Sequence, residues 1–278
     1  MKILFDKVSA KSSKLLTHTY STSFSLGIHF LGKKYHEPIF NIYGFVRLTD
    51  EIVDSFHGFK QKELLDQLRS DLDKALADKI SLNPILNSFQ QTVHKFQIDR
   101  ELIDAFLYSM EMDLTQAFHD KSSYQKYILG SAEVVGLMCL RVFTDGNNAF
   151  YEKLKPSAMK LGAAFQKVNF LRDLKQDFSI LGRTYFPGID FNSFNAHQKN
   201  EIEKEIEKDF EDALIGIRHL PRTSKLGVYV AYVYYKALNQ KIKSQTHETI
   251  MNGRIRVSNY QKIALMFQSI VRFNFNFI

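Results

Sequence analysis

Two runs of this sequence place carboxylates where a soluble helix does not ordinarily need them. The first spans residues 41–54 (Asn-Ile-Tyr-Gly-Phe-Val-Arg-Leu-Thr-Asp-Glu-Ile-Val-Asp). A helix turning about 100° per residue gathers Phe45, Leu48 and Ile52 on one face, and Tyr43, Arg47, Asp50 and Asp54 on roughly the opposite one. Asp50 and Asp54 stand one turn apart, so their carboxylates point the same way. In the second run, residues 162–177, one face carries Gly162, Gln166, Asn169, Asp173 and Asp177, while Leu161, Ala164, Phe165, Val168 and Leu171 form the other. A single Asp-x-x-x-Asp pair is ordinarily an accident of a solvated surface. Two long stripes that each oppose an apolar face predict a shared polar cleft.

Facing each other across a helical bundle, the stripes would make a cleft rich in oxygen and strongly negative. Mg²⁺ suits such a place, because it takes octahedral oxygen ligands, keeps some of its waters and is commonly held by one or two carboxylates plus substrate phosphates. Mn²⁺ is a candidate substitute. A diphosphate would then bind through bridging metal rather than be repelled by the aspartates. Arg47, Arg172, Arg183 and nearby lysines are candidates to neutralise its remaining charge.

The elements that must position these stripes read as helical throughout. Proline is scarce (5) and glycine modest (13) in 278 residues, and alternating strand-like segments are hard to find. Helical periods run over 63–78, 101–118, 124–144, 151–178, 198–219 and 226–246. Breaks are expected near 32–38, 83–84, 144–148, 182–195 and 221–224. With no linker, repeat or low-complexity tract, residues 1–278 read as one all-α domain. The acidic segment 201–212 reads as a solvated amphipathic helix with apolar residues at 202, 206 and 210, and is given no chemical role.

Composition narrows the function classes. With 45% hydrophobic and 24% charged residues the chain lies far from the disordered range. Its 24 Phe, 13 Tyr and absent Trp mean that any apolar cavity is lined largely by Phe and Tyr. The net charge of +7 is spread along the chain, with no Lys/Arg-dense run or nucleic-acid-binding motif, so nucleic acid is not an expected partner. The one cysteine, Cys139, reads as a small core residue. No His-x-x-x-His or His-Glu-x-x-His spacing suggests zinc, and no Gly-x-Gly-x-x-Gly or Walker loop would cradle a nucleotide. The N-terminus has no signal-peptide core, and no apolar stretch approaches the roughly 20 residues of a membrane span. A cytoplasmic protein is expected. Nothing in the sequence sets an oligomeric state.

These runs resemble the squalene/phytoene synthase family. Arg47-Leu48-Thr49-Asp50-Glu51-Ile52-Val53-Asp54 is similar to its first aspartate-rich motif. Residues 166–177, followed by Gly182-Arg183-Thr184-Tyr185-Phe186-Pro187, are similar to the second motif and its trailing loop. Ser21-Thr22-Ser23-Phe24 resembles the Ser-x-Ser-Phe element, and Tyr127 to Gly136 the family's middle helix. Weaker similarities fall at Tyr235-Lys236-Ala237-Leu238 and at Gly253-Arg254-Ile255-Arg256-Val257. The order is kept from residue 21 to about 257. Three positions depart from the pattern: Thr22 where a basic residue is frequent, Gln176 where the family often has Glu, and Glu133 where a small residue is common.

The resemblance implies an isoprenoid-synthase helical bundle with a central cleft, and a Mg²⁺-dependent prenyltransferase that joins two isoprenoid diphosphates head to head. It implies Asp50, Asp54, Asn169, Asp173 and Asp177 at Mg²⁺, and Ser21, Ser23, Phe24, Arg47, Gln166, Asn169, Arg172 and Arg183 at substrate. Tyr43, Tyr127 and Tyr185 would stand near the reacting ends. The trailing loop is most like the phytoene-synthase form, which implies two geranylgeranyl diphosphates, a cyclopropyl diphosphate intermediate, phytoene as product and no NADPH. The alternatives are the same chemistry on farnesyl diphosphate, giving dehydrosqualene or squalene, and a non-catalytic assembly factor. A cation-forming reaction needs a dry apolar cavity, for which Phe24, Phe45, Phe165, Val134, Val135 and Leu137 are the expected lining. A peripheral membrane contact is compatible with lipid substrates, and 273–278 (Phe-Asn-Phe-Asn-Phe-Ile) reads as a docked terminus or a membrane-surface contact.

Overall fold

The computed structural model describes residues 2–179, 182–189 and 193–278, the side chains of Thr22 and Ser23 excepted. Every regular element among them is helical; the one β-type pairing is an isolated bridge between Phe118 and Thr184. The helices are α1 (Lys2–Tyr20), α2 (Thr22–His29), α3 (Lys33–Asp54), α4 (Gln61–Asp78), α5 (Pro84–Phe96), α6 (Arg100–Thr115) and α7 (Lys121–Ile128). A π-helical turn (Leu129–Glu133) then joins α7 to α8 (Val134–Thr144). After it come α9 (Asn148–Ser179), α10 (Ala196–His219), α11 (Arg222–Lys243), α12 (His247–Asn252) and α13 (Asn259–Asn274).

Local chemistry sets the boundaries. Asn83 caps α5 by accepting from the backbone N–H groups of Ile85 and Leu86, with Pro84 at the first helical position. Capping boxes start α10 at Asn195/Gln198 and α13 at Ser258/Gln261. The expected break at 32–38 is shorter than the sequence suggested. Here α3 begins at Lys33 and keeps Pro38 within it, where the forgone hydrogen bond would reach only to Lys34 at the helix start. The helix expected to reach Phe118 stops at Thr115, because Gln116 turns extended and Phe118 pairs with Thr184.

Two groups of buried apolar side chains hold the bundle. One centres on α3, α5, α6 and α8, where Phe45 stacks on Phe89 with centroids 4.1 Å apart. The other joins α9, α10 and α11 around Val168, Ile206, Phe210 and Leu238. The acidic segment 201–212 is less solvated than expected. Ile202, Ile206 and Phe210 are buried as predicted, but so are Glu203 and Asp209. Asp209 accepts from Lys160 at 2.9 Å and from buried Lys167 at 2.6 Å, an ionic clamp between α9 and α10.

One sequence expectation is corrected. The run Lys121–Thr144 is long and apolar enough to cross a membrane by length and composition alone, because the π turn fuses two shorter helices. It is the inner helix of the bundle: Gly130 lies so close to α6 that a Cβ there would meet the Ala105 carbonyl oxygen at 2.4 Å. Its apolarity serves packing.

Candidate active site

The carboxylate pairs meet at one end of a cavity of about 770 Å³ enclosed by α2, α3, α6, α8, α9, α10 and α11. Asp50 and Asp54 come from the last turns of α3, and Asp173 and Asp177 from the last turns of α9. The rest of the cavity is walled mainly by apolar groups such as Ile28, Leu31, Ile39, Leu140 and Phe143. Of the residues expected to line it, Phe24, Phe165 and Val135 do. Phe45, Val134 and Leu137 instead point into the core, because they fall on the helix faces turned to α5 and α6. Cys139, expected in the core, is half-buried on the cavity wall, where burial pushes its thiol up to about 12.

A third carboxylate source was not anticipated from the sequence. Asp113, in the last turn of α6, is buried at the same end, accepting from Tyr127 Oη at 2.8 Å and Tyr185 Oη at 3.1 Å. The signal was present: with Ile103, Phe106 and Met110, Asp113 continues the apolar face of α6, an ionisable residue where an aliphatic one would pack. Two arginines bridge the walls. Arg183 Nη1 donates to Asp54 at 2.8 Å and lies 3.6 Å from Asp113, while its Nη2 donates to the Val53 carbonyl at 3.1 Å. Arg254 pairs with Asp173 at 2.8 Å, as does Arg172 from the same helix at 3.0 Å.

The loop that carries Arg183 is fixed on both sides. Gly182 has φ +64, a left-handed conformation that glycine adopts without a Cβ penalty. Arg183 N–H then returns to the Asp177 carbonyl at 2.9 Å, and Thr184 N–H donates to the Ala117 carbonyl at 2.9 Å. Tyr185 stacks on Phe170 at 4.1 Å and lies 5.0 Å from Tyr127, so both phenols are held against Asp113.

The remaining expected residues divide. Phe24 stacks on Tyr43 at 3.5 Å, and both line the cavity. Arg47 lines it with its guanidinium 4.4 Å from the Tyr20 ring and paired with Glu51. Gln166 and Asn169 also line it; Asn169 donates to Gln166 at 3.4 Å and accepts from Tyr235 Oη at 3.3 Å. Ser21 sits at the N-cap of α2, away from the cavity lining. The side chain of Ser23 lies outside the described residues. Glu133, for which the sequence offered no role, is half-buried in the π turn, where desolvation raises its carboxyl against the opposing fields of Lys160 and Lys167.

The electrostatics of the mouth follow from this convergence. Burial, then the neighbouring Asp54, pushes Asp50 up to about 7. Burial raises Asp113 to about 7 despite the counter-charge of Arg183. Burial, then Asp173 and Asp54, raises Asp177 to about 8. The helix ends add to the effect. All three contributing helices point their negative C-terminal poles here, and none carries a basic residue in its final turn. Its positive charge comes instead from Arg172, Arg183 and Arg254, which lie outside those final turns. Among the described residues, no three His, Cys, Asp or Glu side chains stand close enough to hold one metal ion between them.

The fold is that of the all-α isoprenoid synthases. A crystal structure of a dehydrosqualene synthase superposes with a TM-score of 0.84 at 19% identity, covering 97% of this chain and 98% of that one. The squalene/phytoene synthase family model matches residues 17–261, and the chain belongs to that family. It is 27% identical over 264 residues to the presqualene diphosphate synthase of Zymomonas mobilis, covering 93% of this chain and 84% of the relative. With the 15-cis-phytoene synthase of Synechocystis it shares 26% identity over 275 residues, with 89% and 80% covered. It spans 60% of the length of the maize chloroplastic phytoene synthase that it also matches. Members of the family are prenyltransferases acting on isoprenoid diphosphates.

Proposed function

We propose that this protein condenses two molecules of geranylgeranyl diphosphate head to head, through a cyclopropyl diphosphate intermediate, to phytoene. The observation that carries the reading is the polarity of the cavity: carboxylates and arginines occupy one end, and an apolar chamber extends beyond them. A diphosphate belongs at the first and a prenyl chain in the second.

The donor set fits Mg²⁺. Asp50 and Asp177 are carboxylates whose ionised form is disfavoured by burial and by like charges, so a divalent cation would relieve both. Asp50, Asp54, Asn169, Asp173 and Asp177 would hold such ions with no more than two carboxylates to each, diphosphate and water oxygens completing the ligand sets. Bound there, Mg²⁺ would withdraw charge from the diphosphate and ease its departure.

The chain's own groups do the rest. Arg172 and Arg254, engaged with Asp173, are placed to turn toward a diphosphate once that aspartate is neutralised, and Arg47 stands ready on the opposite wall. Apolar walls keep water from an allylic cation, which would otherwise be quenched. The faces of Phe24, Tyr43 and Phe165 can steady positive charge as it moves between the chains. Tyr127 and Tyr185, hydrogen-bonded to Asp113, present phenols beside the reacting ends, where one can accept a proton relayed to the carboxylate.

Incubation of the purified protein with geranylgeranyl or farnesyl diphosphate and Mg²⁺, with and without NADPH, tests this. Phytoene from the twenty-carbon substrate, independent of NADPH, is expected. A thirty-carbon product from farnesyl diphosphate alone would keep the mechanism and change the substrate. That second reading is favoured by the presqualene diphosphate synthase relative.

A further inference from the structure

The last helix, α13, is only half used by the fold. It packs on α11 through Leu265, Ser269, Ile270 and Phe273, the last beneath the Arg222 guanidinium at 4.6 Å. Its other face is apolar and open to solvent. Tyr260 is 87% exposed, Ile263 49%, Phe267 59%, Val271 52% and Phe275 68%. These residues recur every three or four positions, so they form one continuous stripe along the helix. Scattered exposed apolar residues need no explanation, but a stripe along one helix marks an interaction surface.

Charge identifies the occupant. No acidic side chain follows Glu248, whereas Arg254, Arg256, Lys262 and Arg272 all lie in that stretch. Arg256 just before the helix and Arg272 in its last turn are both exposed, at opposite ends of the stripe. A second copy of the same face would bring like charges together. An anionic lipid surface offers both the apolar interior and the counter-charge. At 16 residues, and with its opposite face buried against α11, the helix would lie in the interface rather than cross the bilayer.

A relay of side chains links the start of α13 to the polar end of the cavity. Lys262 Nζ lies 5.4 Å above the Tyr234 ring, Tyr234 packs edge-on to Tyr235 at 5.5 Å, and Tyr235 donates to Asn169 in the site. We propose that α13 is a bilayer-docking helix, its stripe Ile263–Phe267–Val271–Phe275 set into an anionic membrane surface so that the diphosphate end of the cavity is held close to the headgroups.

Flotation of the full chain with vesicles of phosphatidylcholine, alone or mixed with phosphatidylglycerol, tests this. The wild type should float with the mixed vesicles. Phe267→Ser combined with Val271→Ser should lower its partition coefficient about tenfold or more. Arg272→Glu should reduce the preference for anionic vesicles while leaving the helical circular dichroism unchanged. Failure of the wild type to bind, or binding indifferent to the double substitution, overturns the proposal. So does a dimer in solution that the double substitution dissolves, which would assign the face to a second copy. Flotation requires no turnover, so the docking surface and the proposed reaction fail separately.

Discussion

Arg183 donates to Asp54 across 2.8 Å, tying the loop after α9 to the last residue of α3. The same guanidinium faces Asp113 and the Val53 carbonyl, so one side chain joins three walls of the cavity mouth. It is 7% exposed. Arg183, which the sequence offered as a candidate to neutralise phosphate charge, is a buried brace in this structure.

Arg183→Ala should destabilise the protein by about 3 kcal/mol, the low end for breaking a buried pair, because Asp54 retains access to water. Arg183→Lys should recover part of this, since one ammonium cannot serve Asp54, Asp113 and the Val53 carbonyl together. Urea midpoints of the two variants check the order. Equal stability of wild type and Arg183→Ala would remove the brace.

The ion-free protein should lose stability as pH rises from about 4 to 8. Unfolded, the carboxyls of Asp50, Asp113 and Asp177 titrate near 3.8; folded, they titrate near 7, 7 and 8. Between those values the folded form holds protons that the unfolded chain has released, so raising the pH favours unfolding. Urea titrations in chelator at pH 5, 6, 7 and 8 measure the slope. A midpoint that climbs over this range contradicts the account.

Asp50→Asn and Asp177→Asn should each raise the thermal midpoint in chelator and abolish turnover with Mg²⁺ present. The change removes a charge that burial and then like-charge neighbours disfavour, and it also removes a proposed metal ligand. Opposite signs for stability and activity are the signature to look for. A variant that turns over near the wild-type rate would sink the metal assignment.

Asp113→Asn should preserve the fold, because an amide oxygen can still accept from Tyr127 and Tyr185, yet lower kcat. Asp113→Leu leaves both phenols without their acceptor, at a cost of about 1–3 kcal/mol per stranded group. A pH–rate profile separates a proton acceptor from a strut. Loss of a limb in the asparagine variant supports the former, and a uniformly scaled profile the latter.

Gly162→Ala should be strongly destabilising for so small a change. Its Cβ would stand 2.6 Å from the Ala132 carbonyl oxygen, forcing α9 away from the π turn. Overpacking of this kind costs roughly 1–3 kcal/mol. Gly146→Ala lacks such a contact but has φ +82, so its penalty is conformational and should be smaller.

The helices and both aspartate stripes were legible because they are local: a period of 3.6 and an i,i+4 spacing are written along the chain itself. Asp50 and Asp177 reach one mouth only through tertiary packing, yet each stripe announced a polar face opposite an apolar one. Asp113 was harder, since an isolated Asp carries no spacing. Its meaning lay in interrupting an apolar face whose burial was not yet known. Arg254 was seen as part of a weak motif but not as the partner of Asp173, a contact between distant parts of the chain. The same holds for Asp209, which sequence placed in water and packing placed under Lys167.

Three helices end at the cavity mouth with carboxylates in their final turns and no basic residue in those turns. In the proposed reaction both substrates arrive carrying the anion that recruits further positive charge, and the hydrocarbon that leaves carries none. The grip on the ligand is thus built from a group that the reaction discards. Turnover erases the handle by which the molecule was held, and the finished product keeps only its greasy contacts with the chamber walls.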